Sequence, residues 1–340
     1  MKVIVDDKIP YIKEAIERLA DEVVYLPGAA FTPDAVRDAD ALIVRTRTRC
    51  NEALLAGSRV QFIATATIGY DHIDTEYLRR AGIQWSNCPG CNASSVAQYV
   101  RCALLLLQQE RGMKLDGTVL GIVGVGHVGT KVEAVARELG MLPLLCDPPR
   151  QRSEGGDRFL PLEHLARQCE VLTFHVPLIR EGEDATFHLA DEAFFHALQR
   201  KPVLINTSRG EVVETGALRQ ALQSGEVREA IIDVWEQEPD IDRELLQEVY
   251  LGTPHIAGYS ADGKANATRM ALDALCQHFH LQGDYTILPP ELPESLPTPR
   301  DFVEACLQLY DPRRDSEALK AHPEQFEWLR GHYPLRREQV

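Results

Sequence analysis

The sequence has no long apolar run: none of its runs reaches the length needed to span a bilayer. The first residues, Met1-Lys-Val-Ile-Val-Asp-Asp7, also lack the apolar core of a secretory signal. Positive charge is scarce, because 36 lysines and arginines stand against 51 aspartates and glutamates, a formal net charge of −15. This balance opposes a general nucleic-acid or acidic-membrane surface. We therefore expect a cytoplasmic protein with a small-molecule partner and no nucleic-acid or membrane partner.

Cysteine pairs are scarce as well. Eight cysteines are scattered through the chain, and only Cys88 and Cys91 have the C-x-x-C spacing. A zinc site of this kind needs a second such pair, and a thioredoxin-like site needs a much smaller domain. We predict no metal site, and we expect reduced thiols that pack as small apolar side chains. For the C-x-x-C segment, a structured loop and redox chemistry both remain open.

The sequence does have a regular alternation of short apolar runs and helical patterns. Its 340 residues and 44% hydrophobic content suit a globular protein of more than one domain. The apolar runs predict strands at Lys2–Asp6, Ala41–Val44, Leu142–Cys146, Val171–Val176, Val203–Asn206 and Ala230–Val234. The alternation predicts an α/β fold with a doubly wound parallel sheet, whose functional sites lie at the carboxyl ends of the strands.

A glycine motif of the form G-x-G-x-x-G stands between an apolar run and a helix-like segment in Thr118–Thr130. Gly124 would permit a tight turn, Gly126 would let backbone approach a pyrophosphate, and Gly129 would let the helix pack closely. The helix N-terminus, from His127 and Val128, would offer free N–H groups to the phosphates. The motif predicts a dinucleotide-phosphate site, with glycines that merely pack as the alternative.

The next apolar run ends at Asp147, about 20 residues further on, where an acidic side chain binds the adenosine ribose in such sites. This predicts NAD as the cofactor, because a carboxylate repels the 2′-phosphate of NADP. Arg150 opposes the inference, since it lies close enough in sequence to pair with that phosphate.

Three later segments carry ionisable residues where strands are expected to end: Asn206–Gly210, Asp233–Pro239 and Thr253–Gly258. Oxidation of an alcohol by hydride transfer needs a base for the hydroxyl proton, and His255 suits that role. Glu238 would fix the tautomer of the imidazole, and Arg209 would bind a substrate carboxylate bidentately. Taken singly, each residue also has an ordinary structural interpretation.

As an ordered set behind the glycine motif, these segments resemble the D-isomer specific 2-hydroxyacid dehydrogenase family. The resemblance implies an NAD-dependent enzyme that acts on the CH–OH group of a 2-hydroxyacid, with Arg209, Glu238 and His255 as catalytic residues. It also implies that backbone amides of the loop Ala64–Asp74 hold the substrate carboxylate.

The same resemblance implies a domain organisation. A doubly wound Rossmann NAD-binding domain over residues 94–258 would be inserted in a flavodoxin-like substrate-binding domain made of residues 1–93 and 259–286. Residues 287–340 would form a linker and a small C-terminal dimerisation region.

Several local runs resemble one branch of that family, which acts on a phosphorylated hydroxyacid: Pro89–Asn92, Leu145–Arg150, Leu172–His175, His255–Tyr259 and Tyr310–Asp315. The resemblance implies substrate contacts at Thr46, Thr67 and Tyr259. It implies that the NAD site is lined by the glycine motif and Asp147 together with His175, Val176, Thr207, Ser208, Asp233 and Gly258. Another D-2-hydroxyacid dehydrogenase, one for D-3-phosphoglycerate, and a non-catalytic NAD(H)-sensing protein remain the alternatives.

Alternating arginines follow the predicted strand Ala41–Val44. If the backbone stays extended, Arg45, Arg47 and Arg49 share one face, and three cations together suit a phosphate. A solvated strand edge that blunts aggregation is the alternative.

The C-terminal part begins with a proline-rich segment, Leu288–Pro299, which predicts a semi-extended linker. The segment from Arg300 onward has too few apolar residues to fold alone but enough to dock on its own chain or on a second subunit. We expect Phe302, Phe326 and Trp328 to be buried against a partner subunit in a homodimer.

Overall fold

The computed structural model describes residues 1–292 and 296–338. These residues form two compact units: a first unit of residues 1–92 and 260–292, and a second unit of residues 93–259 and 296–338. Each unit contains one parallel β-sheet. Within the described part of the chain, no helix is both long and apolar enough to cross a membrane.

The sheet of the first unit has five parallel strands: β1 (Lys2–Asp6), β2 (Glu22–Leu26), β3 (Ala41–Val44), β4 (Phe62–Thr65) and β5 (Gln84–Ser86). Their order, β2-β1-β3-β4-β5, is the flavodoxin-like order. Residues Val3, Ile4 and Val5 of β1 are fully buried, as expected for a central strand covered on both faces. The helices of this unit are α1 (Lys13–Leu19), α2 (Pro33–Val36), α3 (Glu52–Leu55), α4 (Thr75–Ala81) and α12 (Ala261–Phe279), with a 3₁₀ turn at Gly28–Ala30.

The sheet of the second unit has six parallel strands: β6 (Val119–Val123), β7 (Leu142–Cys146), β8 (Val171–Phe174), β9 (Val203–Asn206), β10 (Glu229–Ile232) and β11 (Leu251–Gly252). Their order is β11-β10-β9-β8-β6-β7. After β6 the chain adds β7 on one side of it and then β8 to β11 on the other side, so the strand order reverses between β6 and β8. In open parallel sheets, ligands bind at the carboxyl ends of the strands at such a switch point.

The second unit has two groups of helices: those that lie in sequence between or before its strands, and those of the C-terminal segment after β11. Those before β11 are α5 (Ala93–Arg111), α6 (His127–Glu138), α7 (Pro148–Glu154), α8 (Leu162–Gln168), α9 (Glu192–His196), α10 (Thr215–Ser224) and α11 (Arg243–Glu248), with a 3₁₀ turn at Gly210–Val212. Those of the C-terminal segment are α13 (Phe302–Leu309), α14 (Pro312–Ala321) and α15 (Phe326–Gly331), with a 3₁₀ turn at Pro323–Gln325.

The predicted α/β doubly wound fold is confirmed, and β1, β3, β7 and β9 have the predicted bounds. Strand β8 ends two residues earlier than predicted, and β10 lies one to two residues closer to the N-terminus, because the residues that follow turn into site loops.

The C-terminal segment packs on the second unit. Phe326 is 1% exposed and Leu319 is fully buried in a core cluster that also contains residues of β8 and β9. The expectation that Phe326 is buried against a partner subunit is therefore wrong, whereas Phe302 and Trp328 are 47% and 57% exposed. Residues 293–295 of the predicted linker lie outside the described residues.

Candidate active site

The turn between β6 and α6 carries the glycine motif. Gly124 has a φ of +86°, and a Cβ there would lie 2.6 Å from the carbonyl oxygen of His175. A Cβ on Gly129 would lie 2.1 Å from the carbonyl oxygen of Gly124, so only glycine allows the helix to approach the turn this closely. A Cβ on Gly126 would meet nothing within 4 Å, so open space faces the N-terminus of α6. This geometry fits a dinucleotide pyrophosphate.

Residues that follow β8 and β9 lie beside this turn. The Nε2 atom of His175 is 2.9 Å from Oγ1 of Thr173, and its Nδ1 atom is 3.2 Å from Oγ1 of Thr207. Burial lowers the pKa of His175 to about 3, so the ring is neutral at physiological pH. A Cβ on Gly124 would lie 2.8 Å from Cγ1 of Val176. The structure thus brings Gly124, His175, Val176 and Thr207 together at the switch point.

Asp147 follows β7 and faces the same turn. Its Oδ2 accepts a hydrogen bond of 2.8 Å from the amide of Val125, and its Oδ1 caps α7 through the amide of Arg150 at 3.1 Å. The guanidinium of Arg150 is 2.5 Å from Oε1 of Glu154 and lies over the ring of Phe159. Arg150 is thus already ion-paired, and a 2′-phosphate would have to compete with Glu154 for it.

The residues proposed as base and partner lie together in the second unit. Nδ1 of His255 is 2.8 Å from Oε2 of Glu238, and Oε1 of Glu238 accepts a hydrogen bond of 2.9 Å from the amide of Trp235. His255 has a left-handed backbone with a φ of +57°, which is uncommon for a residue other than glycine and is found at functional sites. Because Nδ1 is committed to the carboxylate, Nε2 is the ring nitrogen that remains for another partner.

Glu238 is held as a carboxylate. Burial favours its neutral form, but the hydrogen bonds from His255 and from the Trp235 amide, together with the charge of Arg330, hold the pKa of Glu238 below its usual range. An ionised partner fixes the proton of neutral His255 on Nδ1 and stabilises the imidazolium once a proton arrives at Nε2. The arrangement is that of a general base with an orienting carboxylate.

Asp233 holds the loop on which His255 stands. Its Oδ1 accepts hydrogen bonds from the hydroxyl of Thr253 at 2.6 Å and the amide of Ile256 at 2.8 Å, and its Oδ2 accepts one from the amide of Ala257 at 2.9 Å. Tyr99 of α5 extends the network, with its hydroxyl 2.9 Å from Oγ1 of Thr253. Burial raises the pKa of Asp233. These contacts make Asp233 a support for the histidine loop.

Arg209 stands in a loop that its neighbours hold rigidly. Asn206, the last residue of β9, donates to the carbonyl of Arg209 at 3.0 Å and accepts from both the amide and the hydroxyl of Ser208. A Cβ on Gly210 would lie 2.0 Å from the carbonyl of Trp235, so the loop lies directly against the Glu238 loop. The sequence reasoning missed Asn206 and Gly210 as supports, although both stand in the motif that it selected.

The other residues predicted for the NAD site occupy varied positions in the second unit. His127 is exposed at the first turn of α6, Val128 packs against the core, Ser208 is buried, and Gly258 is half-buried after the histidine loop.

Tyr259 contacts a residue that the sequence reasoning did not find. Nε of Arg330, on α15, donates a hydrogen bond of 3.1 Å to the Tyr259 hydroxyl, and Nη1 of Arg330 is 3.9 Å from Oε2 of Glu238. Arg330 lies 75 residues beyond His255, so no local motif pointed to it.

In the first unit, Thr67 ends a chain of hydrogen bonds. Its hydroxyl donates to the carbonyl of Gly69 at 2.9 Å, which leaves it to accept from Oγ1 of Thr65 at 2.7 Å. Thr65 Oγ1 is in turn 2.9 Å from Nε2 of buried His72, which must then be the donor. Burial lowers the pKa of His72, in keeping with a neutral ring. Thr67 is thus left to accept, not donate, a further hydrogen bond.

The arginine segment of the first unit is not extended. The amide of Thr48 bonds to the carbonyl of Arg45 at 3.1 Å, so the chain turns directly after β3, and the prediction of period-2 alternation is wrong. Nε of Arg45 is 3.2 Å from Oδ1 of fully buried Asp6, whereas Thr46 and Arg47 are exposed.

The C-x-x-C segment forms a structured loop. The thiol of Cys88 lies 3.4 Å from the carbonyl of Thr65 and 3.2 Å from that of Ala267, and Cys91 is also a buried thiol outside any disulfide. Burial raises the pKa of Cys88 to about 12, which disfavours the thiolate that redox chemistry needs.

Two family models match the sequence. One is described as D-isomer specific 2-hydroxyacid dehydrogenase, NAD binding domain, and matches residues 96–257. The other is a domain of unknown function that matches residues 294–339.

Curated relatives match along the whole chain. The erythronate-4-phosphate dehydrogenase of Bacteroides fragilis is 62% identical over 339 residues, which cover 100% of this chain and 97% of that protein. The protein of the same name from Yersinia pestis is 42% identical over 354 residues, covering 99% and 93%.

Solved structures share the fold. The TT0316 protein of Thermus thermophilus is 28% identical with a TM-score of 0.67, covering 85% of this chain and 100% of that one. The 3-phosphoglycerate dehydrogenase of Entamoeba histolytica with bound NAD is 26% identical with a TM-score of 0.68, covering 82% and 95%.

Proposed function

We propose that this chain, which belongs to the D-isomer specific 2-hydroxyacid dehydrogenase family, oxidises the C2 hydroxyl of 4-phospho-D-erythronate to 2-oxo-3-hydroxy-4-phosphobutanoate, a step in the synthesis of vitamin B6. The 62% identity to a full-length relative of that name supports the choice of substrate. The observation that carries the chemistry is the 2.8 Å contact between His255 and Glu238, which stands in the same unit as the dinucleotide turn.

The chain carries the NAD-binding domain of the family, and NAD, when bound, accepts the hydride from C2. His255 takes the hydroxyl proton at Nε2, while Glu238 stabilises the resulting imidazolium. Arg209 binds the substrate carboxylate and polarises the oxygen at C2, because a guanidinium can donate two parallel hydrogen bonds.

The NAD contacts follow from the switch point. We assign the pyrophosphate to the turn at Gly124, Gly126 and Gly129 with the helix start at His127 and Val128, and the ribose to Asp147. The other residues assigned to the NAD site are His175, Val176, Thr207, Ser208, Asp233 and Gly258.

For the substrate we assign contacts to Thr46, Thr67 and Tyr259, and the phosphate to Arg45 and Arg47. The pairing of Arg45 with buried Asp6 means that a phosphate there competes with a carboxylate already in place. Thr67, left as an acceptor, suits a substrate hydroxyl better than a carboxylate.

We also propose that the protein works as a homodimer in the cytoplasm. Support for the dimer comes from exposed Phe302 and Trp328 in the C-terminal segment. Support for the compartment comes from the eight cysteines, which are thiols outside any disulfide and suit a reducing environment.

An absorbance assay for NADH tests the function. We expect turnover with 4-phospho-D-erythronate, and a kcat/KM lower by at least tenfold with unphosphorylated D-erythronate and with D-3-phosphoglycerate. A preference for either of the latter would replace the substrate but keep the enzyme class. Tight NAD binding without NADH from any hydroxyacid would indicate a nucleotide-sensing protein.

A further inference from the structure

Arg330 brings a positive charge to the carboxylate of the catalytic pair. It stands on α15, and its Nη1 is 3.9 Å from Oε2 of Glu238, the same oxygen that lies 2.8 Å from Nδ1 of His255. Its Nε donates to the hydroxyl of Tyr259, over whose ring the guanidinium also lies. A second carboxylate, that of Glu327, is 3.9 Å from the same Nη1.

The segment that carries Arg330 is fixed to the unit on both sides. Phe326, four residues earlier, is 1% exposed in the core. Arg336, six residues later, is 3% exposed and donates to the carbonyl of Ile256 at 3.2 Å, one residue after His255. Its guanidinium also donates to the carbonyl of Ser95 at 2.6 Å. The charge of Arg330 therefore stands in a defined place relative to the histidine loop.

The groups that face the pair set its electrostatics. Glu238 faces the imidazole of His255, the amide of Trp235 and the guanidinium of Arg330. Behind the histidine loop stands the carboxylate of Asp233, which favours a positive imidazole. Both carboxylates attract the imidazolium that forms when the ring takes up a proton, and a ring that is already protonated cannot act as a base. Arg330 is a cation that opposes them.

We propose that Arg330 is a positioning residue of the base: by repulsion of the imidazolium it keeps His255 neutral and ready to accept the substrate proton. This inference rests on the proposed function, since it concerns the same reaction. It makes the C-terminal segment a part of the catalytic apparatus of its own chain. Binding of the substrate phosphate is the competing role for Arg330, and two carboxylates within 3.9 Å of its Nη1 argue against it, because they repel a dianion.

The first test needs no substrate. In an NMR titration of the His255 ring, identified by its loss in a His255→Asn variant, we expect Arg330→Met to move the midpoint to higher pH by about 0.5–1 unit, as loss of one nearby screened charge does. Arg330→Lys, which keeps the charge, should restore most of the midpoint. Arg167→Met, which removes an exposed arginine from α8, should leave it unchanged.

The second test uses turnover. The acidic limb of kcat/KM should move upward with the NMR midpoint in Arg330→Met, and equally for phosphorylated and unphosphorylated substrate. A loss confined to the phosphorylated substrate with an unmoved limb would assign Arg330 to the phosphate and overturn the proposal. An unmoved NMR midpoint in a variant with wild-type thermal stability would overturn it as well. If the wild type oxidises no hydroxyacid, the proposed function fails, while the NMR titration still decides the role of Arg330.

Discussion

At the scale of single residues, His255 combines an unusual backbone with the proposed chemistry. Its φ of +57° is tolerated best by glycine, asparagine and aspartate, so asparagine removes the base with least strain. We expect His255→Asn to lower kcat by about 10²–10⁴-fold through loss of general-base catalysis. NAD affinity, measured by NADH fluorescence, should stay within about twofold. A kcat near that of the wild type would remove His255 from the mechanism.

Glu238 allows a prediction whose sign is opposite to that for Arg330. Its ionised carboxylate stabilises protonated His255, and that form is inactive in oxidation. In Glu238→Gln the imidazolium loses this support, so His255 stays neutral to lower pH. The acidic limb of kcat/KM should then move down by about one pH unit. A limb that does not move, in a variant of unchanged stability, would contradict the pairing.

The catalytic residues that the sequence predicts lie close in sequence to strand ends, whereas the residue that it missed does not. Arg209, Glu238 and His255 stand three, six and three residues after the ends of β9, β10 and β11, and the carboxyl ends of parallel strands share one edge of a sheet. Arg330 reaches the same place from a helix that follows no strand. Periodicity and motif spacing carry no signal for such a contact, so only the folded chain shows it.

At the scale of elements, two glycines of the β6–α6 turn are expected to have different roles: Gly126 in cofactor binding and Gly129 in the packing of α6 against the turn. A Cβ on Gly126 meets no atom within 4 Å, whereas a Cβ on Gly129 overlaps the Gly124 carbonyl at 2.1 Å. Gly126→Ala should therefore keep the free energy of unfolding of the apoprotein and raise the Kd for NAD about tenfold or more, because the methyl group fills the pyrophosphate space.

Gly129→Ala serves as the matched variant. It should lower the free energy of unfolding by about 1–3 kcal/mol, since the helix must move away from the turn. Urea unfolding and NAD titration of both variants measure the two effects. Weakened stability in Gly126→Ala with unchanged NAD affinity would show that its space is not the phosphate site.

Burial alone does not decide which strands the sequence predicts. All four residues of β3 and of β9 are buried, and both strands have the predicted bounds. All four residues of β4 are buried too, yet that strand was not predicted, whereas β7 has the predicted bounds although Leu142 is 55% exposed. The segment Arg45–Arg49 was wrongly predicted to stay extended, because an alternation of arginines does not keep a chain extended beyond its last sheet partner.

At the scale of the whole molecule, the C-terminal segment has two faces. Phe326, Leu319 and Arg336 are buried against their own unit, so removal of the segment would expose that core. The sequence alone could not decide between docking on its own chain and docking on a second subunit, because composition shows that a segment needs a partner surface but not which one. The structure assigns Phe326 to the first; in α13, Val303, Cys306 and Leu307 also pack on the chain's own core, while Phe302 stays exposed.

The apolar helix α13 yields the prediction of a dimer. Its sequence, Phe302-Val-Glu-Ala-Cys-Leu-Gln-Leu309, is largely apolar, yet none of its residues is fully buried, and Phe302 is 47% exposed. Trp328 of α15 is 57% exposed. Large apolar side chains left exposed on one segment favour a second copy as their cover, even at a net charge of −15.

We therefore expect light scattering to show a homodimer at micromolar concentration and a shift toward monomer in the double variant Phe302→Glu, Trp328→Glu. The control is Leu142→Glu, which places one glutamate at a 55% exposed apolar residue of β7, outside the segment; it is compared with each single variant as well as with the double variant. It should remain dimeric, because it adds the charge of one glutamate without touching α13 or α15. A monomeric wild type would refute the dimer, and dissociation of the control as readily as the double variant would place the interface elsewhere.

Since Arg330 stands on α15 beside Trp328, the monomeric variant also shows whether dimer contacts hold that arginine: an unmoved acidic limb of kcat/KM would mean that each chain positions its own base.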